Sequence, residues 1–305
     1  MRPPAPLPLR FERAPFTTAE ALNAGVTPRR LRSESLVAPH RGVRVDPRRL
    51  ATTFERCRAY AVIMPPGHVF SGLTAAVLHG IPLPLALERD PRIHVTSVDG
   101  SRAPRGRGVL GSSTTAAPRL VRVQGLGNAH VTSPADTWCA IAASMTRDDL
   151  VAAGDRLLGL PTPLCPAEEI DDAIARHGSR RGARALRTAR GLLRADVYSR
   201  RETFARLTLV RARLPEPEPN GLIVLRSGRR TRGDLVFRRY RVLVEYEGEQ
   251  HLFDVDQWST DVARLNDLID DGWWVIRVTK RMPSSELIAR TTRALVDRGW
   301  GGGSR

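Results

Sequence analysis

The amino-acid sequence predicts an α+β multidomain protein, and three observations carry that expectation. At 305 residues the chain is long enough for two or three domains. Along it, stretches with apolar residues at helical three- and four-residue steps alternate with short β-branched runs. Its C-terminal third orders these stretches as helix, three strands, helix, strand, helix, a compact mixed unit in its own right.

Residues 1–50 open the chain. Thr17 and Glu20 in Thr17-Thr18-Ala19-Glu20 have capping-box spacing, so a short helix is expected up to Ala24 before Gly25 breaks it. Thr27-Pro28 starts a second helix, with Thr as the cap and Pro as its first residue. That helix offers Arg29, Arg30 and Arg32 outward and Leu31 and Leu36 inward. Leu36 to Val45 reads as a two-strand wing turned around Arg41-Gly42. The set fits a winged helix-turn-helix that presents its second helix to the major groove; a plain helical hairpin is the simpler alternative.

Residues 51–165 read as a mixed α/β middle region. Ala51–Met64 and Ser71–His79 are expected to be helical, with strands at Ile93–Val98, Val109–Gly111, Leu120–Val123 and His130–Thr132. Ser133-Pro134 then opens a helix through Met145, and Arg147–Leu158 forms another. His79, His94 and His130 lack ligand spacing and read as ordinary core or surface histidines. The loop Arg102–Arg107 is basic. Residues 166–198 form a connector in which Arg180, Arg181, Arg184, Arg187, Arg190 and Arg194 recur at helical steps, suited either to a phosphate backbone or to a solvated face.

Residues 199–298 carry the richest pattern. Ser199–Leu214 reads as a helix with Glu202 in its first turn. Leu235–Phe237 and Val242–Val244 flank the turn Arg238–Arg241, as two strands of a hairpin. Side chains alternate along a strand, so Glu245 and Glu247 share one face and Val244 and Tyr246 the other. Asp234, at the start of the first strand, is within cross-strand reach. Clustered carboxylates raise one another's pKa and cost free energy, a conflict that a divalent cation relieves; hard oxygen donors suit Mg²⁺ (or Mn²⁺). His251 follows three residues after Gly248. A helix from Gln257 to Asp271 places Asp261 and Arg264 on one face, Gly272 is a C-cap, and Trp273–Val278 is expected to be a central strand buried on both faces. The glycine-rich tail, 299–305, is expected to be disordered.

Bulk properties narrow the partners. Lysine and arginine number 48 against 32 acidic residues, for a net charge of +16, which points to a polyanion, DNA above all. Lys280 is the only lysine, a bias that a GC-rich genome would produce, although such a bias leaves the excess of base over acid unexplained. Cys57, Cys139 and Cys165 lie far apart without a CxxC pair, so a reduced cytoplasmic setting is expected and a zinc site is not. No apolar run reaches the ~18 residues of a membrane helix, and the start lacks a signal-peptide core.

Glu202, Gly233-Asp234-Leu235, Glu245-Tyr246-Glu247-Gly248, His251, Asp261, Arg264, Gly272-Trp273 and Arg277-Val278-Thr279 together resemble the PD-(D/E)XK nuclease superfamily, closest to its very-short-patch-repair (Vsr-like) branch. The resemblance spans roughly 199–298 and implies a restriction-endonuclease-like αβββαβ core. It implies that Asp234 and Glu245 hold Mg²⁺, which polarises the scissile phosphate. Glu247 stands where the family commonly has Lys; it would complete the metal shell or act as general base, with His251 moving a proton. Arg277, Lys280 or a second metal would then offset transition-state charge. The N-terminal unit and the phrases SGLTAAVLHG and VTSPADTW resemble AbiEi-type antitoxins, DNA-binding regulators paired with a cognate toxin. Two functions are therefore expected in competition: a metal-dependent endonuclease, or a regulator whose nuclease-like domain does not cut.

Overall fold

The computed structural model describes residues 5–246 and 255–302, side chains at 255–261 excepted. The chain is α+β and divides into two compact units, Met1–Met145 with Cys165–Thr188, and Thr146–Leu164 with Ala189–Arg305.

The first unit begins with α1 (Leu9–Arg13), β1 (Phe16–Thr17), α2 (Thr18–Asn23), α3 (Pro28–Leu31) and β2 (Val43–Arg44). The capping box forms as its spacing demands: Glu20 N donates to Thr17 Oγ1 at 3.1 Å and Thr17 N to Glu20 Oε2 at 2.8 Å. Thr27 caps α3 through a bond from Arg30 N at 3.2 Å, and Pro28 supplies the first helical residue. Phe11, Phe16, Ala21 and Leu31 close a small core. The expected wing is smaller than its sequence suggests. Pairing across Gly42 (φ 79°) is limited to the Val37–Val45 bridge, because Pro39 has no N–H to extend it, and β2 pairs with β1 instead.

Next come α4 (Thr53–Ala61), β3 (His68–Phe70), α5 (Gly72–Leu78), α6 (Leu85–Glu88), β4 (Ile93–Ser97), β5 (Val109–Ser113), β6 (Leu120–Arg122), β7 (His130–Thr132) and α7 (Pro134–Ile141). The strands make one sheet in the order β5-β4-β3-β7-β6. Its core joins Cys57, Phe70, Ile93, Val95 and Val131, each removed from water. The chain leaves this unit for α8 (Arg147–Leu158) and returns in α9 (Ala167–His177) and the start of α10 (Ala183–Arg190).

The second unit adds α11 (Arg200–Arg211), β8 (Glu218–Val224), β9 (Arg230–Phe237), β10 (Val242–Tyr246), α12 (Val255–Asp270), β11 (Trp274–Val278) and α13 (Ser284–Asp297) to α8. Its sheet runs β11-β10-β9-β8, antiparallel except for the parallel β10–β11 pair. Alternation sorts the side chains. Leu235, Phe237, Val242, Val244 and Ile276 pack with Ala205 and Leu209 of α11 and Leu287 and Leu295 of α13. Val236, Leu243 and Ile223 pack on the other face with Leu268 of α12 and Trp273. Each fully buried aliphatic side chain contributes about 1.5–3 kcal/mol.

Two expectations are corrected. Among the described residues β11 is an edge strand, not a central one, and Trp274 and Arg277, on opposite faces of it, are both exposed. Strand β9 begins at Arg230, because Arg230–Gly233 pairs with Gly221–Val224, so Asp234 lies within the strand and not at its start.

Candidate functional site

Strands β9 and β10 part at the end of their ladder, where Asp234 and Glu245 stand. The last antiparallel pair is Leu235–Val244; Asp234 and Glu245 are the next residues on each strand. Asp234 Oδ2 accepts a hydrogen bond from Tyr246 N at 2.6 Å, so a side chain takes up a strand N–H that the ladder leaves over. Glu202, in the first turn of α11, comes close to this carboxylate. It is 6% exposed, and its Oε2 accepts from Tyr198 N at 3.0 Å and Asn220 Nδ2 at 2.8 Å. Burial raises the Glu202 pKa first and the nearby Asp234 charge raises it further, against hydrogen bonds from Ser199, Tyr198 and Asn220.

Glu245 is 8% exposed and points away from Val244 and Tyr246, as strand alternation requires. There Arg264 of α12 meets it, with Nη1 2.9 Å from Glu245 Oε1 and 3.0 Å from the Arg232 carbonyl. Arg277 is Glu245's neighbour in the parallel register and is exposed. Lys280 lines a cavity of about 250 Å³ with Arg201, Phe204, Thr208, Tyr246 and Thr279; the Arg201 guanidinium stands 5.2 Å above the Tyr246 ring. Glu247 and His251 lie outside the described residues, as does the side chain of Asp261. Among the described residues no group of three or more His, Cys, Asp or Glu side chains is gathered tightly enough to hold a metal. The structure thus brings Glu202 to Asp234 and Arg264 to Glu245.

Asn220 is a member of this cluster that the sequence analysis did not single out. It is 4% exposed, its backbone is left-handed (φ 46°), and its amide bridges Glu202 and the Asp196 carbonyl at 2.7 Å. The signal was the Asn220-Gly221 pair, which marks positive φ and an interrupted strand. The α8–α11 contact behind the site is held by Asp155, which is 0% exposed: its Oδ2 accepts from Arg206 at 2.9 Å and Thr203 at 2.8 Å, and its Oδ1 from Arg194 N at 2.7 Å.

Of the N-terminal arginines, Arg29, Arg32 and Arg41 are exposed. Arg30 is half-buried and held internally, donating to the Ala5 carbonyl at 2.6 Å, Ser33 Oγ at 2.6 Å and Ser35 Oγ at 2.9 Å. Among the described residues no helix is long and apolar enough to cross a membrane.

The chain is 29% identical over 233 residues to the uncharacterized proteins MT2308 and Rv2248 of Mycobacterium tuberculosis (strains CDC 1551 / Oshkosh and ATCC 25618 / H37Rv). The match spans 75% of this chain and 82% of each relative. No known family profile matches the sequence, and no solved structure matches it.

Proposed function

We propose that this is a DNA-binding protein whose second unit is a metal-dependent endonuclease of PD-(D/E)XK type, with a winged helix-turn-helix of the AbiEi kind in residues 1–50. The observation that carries the proposal is the buried Glu202 carboxylate of α11, near enough to the half-buried Asp234, where β9 and β10 part, for the Asp234 charge to raise its pKa. Two carboxylates held this close, one of them desolvated, destabilise each other unless a cation or proton intervenes. Their oxygen donors, with Glu245 one residue along β10 from Tyr246, suit Mg²⁺ or Mn²⁺. When bound, such an ion supplies Lewis-acid stabilisation of a phosphodiester.

The chain's own residues do the rest. Asp234 is aimed by its bond from Tyr246 N, and Glu202 by those from Tyr198 N and Asn220. Lys280 and Arg201, at the neighbouring cavity, lie where a phosphate needs positive charge, and the Tyr246 ring offers a base a stacking surface. Glu247 is the proposed base that takes the proton from water, and His251 the group that passes one on. The net charge of +16 supplies the sequence-independent part of DNA affinity.

A second reading rests on one contact. Arg264 sits 2.9 Å from Glu245 and offsets its charge without a metal, which favours a regulator of antitoxin type that binds DNA, and a cognate toxin, without cutting. Incubation with supercoiled plasmid separates the two. The nuclease reading predicts nicking with Mg²⁺ or Mn²⁺ that EDTA and Asp234→Ala both abolish. Tight, salt-sensitive binding without cleavage in either metal would leave the regulator.

A further inference from the structure

A cavity in the first unit lies far along the chain from the carboxylates and has a chemistry of its own. It measures about 480 Å³, within the range of small-molecule sites. Its walls come from the segment between α3 and β2, from α4, and from β4 with the turn before β5. Pro39, Leu50 and Ile93 make them mainly apolar, and no carboxylate lines the space.

Three nitrogen-bearing side chains do. Arg56 holds its guanidinium by bonds to Thr53 Oγ1 at 2.8 Å and the Ala51 carbonyl at 3.3 Å, yet its buried Nε–H has no acceptor. Both partners of the guanidinium are neutral oxygens, and no carboxylate among the described residues pairs with it. Arg107, exposed and without a hydrogen-bond or ion-pair partner among the described residues, is the second cation lining the space. His40 packs edge-on to Tyr60 with centroids 5.1 Å apart, and burial lowers its pKa, so near neutral pH it adds a polar wall and no charge.

Two cations in an apolar cavity without an anion define a ligand of opposite design. We propose that this cavity binds a small organic carboxylate with an apolar body, its carboxylate on Arg56 and Arg107 and its body against Pro39, Leu50 and Ile93. A phosphodiester answers the charge but not the apolar wall. Because Val37–His40 form part of the lining, occupancy stabilises the segment that joins α3 to β2.

The test uses the full-length protein and isothermal titration calorimetry with phenylacetate, octanoate and 2-naphthoate, the neutral amide phenylacetamide, and inorganic phosphate. The expected result is saturable binding of at least one carboxylate. For phenylacetate, the amide would bind at least about tenfold more weakly and phosphate would not compete. Arg56→Met keeps the apolar stem and is expected to weaken carboxylate binding by at least about tenfold. Arg107→Ala, at an exposed position that cannot unfold the protein, is expected to weaken it severalfold. Circular dichroism of both variants would match the wild type. The proposal is overturned if none of the three carboxylates binds at millimolar concentration, if amide or phosphate binds equally well, or if Arg107→Ala binds as the wild type does.

Discussion

Asp155 shows how a single side chain can hold two helices. Its carboxylate is fully buried, and Arg206, Thr203 and the Arg194 amide use its acceptor positions. Burial alone pushes its pKa up, and Arg206 opposes that shift. Removing Asp155 leaves the buried Arg206 with only the part-exposed Glu216, 3.3 Å from it, and the Leu192 carbonyl, so Asp155→Ala is expected to cost about 3 kcal/mol, far more than a surface substitution. Urea denaturation followed through the second unit would show this as a large fall in midpoint; a change within about 0.5 kcal/mol would mean that Arg206 finds water instead. This ion pair was invisible in the sequence, because its partners stand 51 residues apart and neither sits in a motif. Asp234 and Glu245 were legible because a charge inside an apolar strand breaks its pattern. Glu202 was legible only as the acidic residue of a helix's first turn; that it meets Asp234 follows from how α11 packs on the sheet.

Elements were legible where local chemistry decides them. The caps at Thr17, Thr27 and Ser133 all form, and β7 and α8 have the bounds their patterns give. The end of α12 is the clearest case: Gly272 is left-handed (φ 85°), its N–H bonds the Ile269 carbonyl at 2.8 Å, and Trp273 N bonds Leu268 O at 2.9 Å. Those two bonds are a Schellman motif. Gly272→Ala is therefore expected to cost about 1 kcal/mol in thermal or chemical unfolding, through backbone strain alone. A neutral or stabilising result would show that the C-cap conformation can be given up.

Position within a sheet was not legible. Trp274-Val275-Ile276 has the composition of a buried strand, yet β11 stands at an edge, since strand order is set by tertiary pairing and not by local hydrophobicity. The three-residue β3 was too short to carry a period, although it occupies the middle of its sheet. The wing shrank to a bridge because one proline outweighed the alternation around it.

At the scale of the whole molecule, titration distinguishes the units. His40, His79, His94 and His177 all lie in the first unit, and burial lowers the pKa of each below the ordinary 6.5. With folded values depressed, the unfolded chain binds more protons below pH 6.5, so stability is full above that value and falls as the pH drops through it. The first unit is expected to lose stability between pH 7 and pH 5, before most carboxylates titrate, and His79→Gln should reduce the loss. Urea midpoints at the two pH values check this; a midpoint that rises on acidification would contradict it.

The proposed metal centre belongs to this scale too, because Glu202 stands on a helix and Asp234 and Glu245 on two strands of the second unit, far apart along the chain. Its most direct test is Mn²⁺ titration of the full-length protein monitored by electron paramagnetic resonance, which counts free ion without requiring cleavage. We predict saturable, stoichiometric Mn²⁺ uptake that Mg²⁺ displaces and Asp234→Asn removes, with the fold unchanged by circular dichroism. If the wild type took up no Mn²⁺, or if Asp234→Asn bound it as well as the wild type, the carboxylates where β9 and β10 part would not be a metal centre.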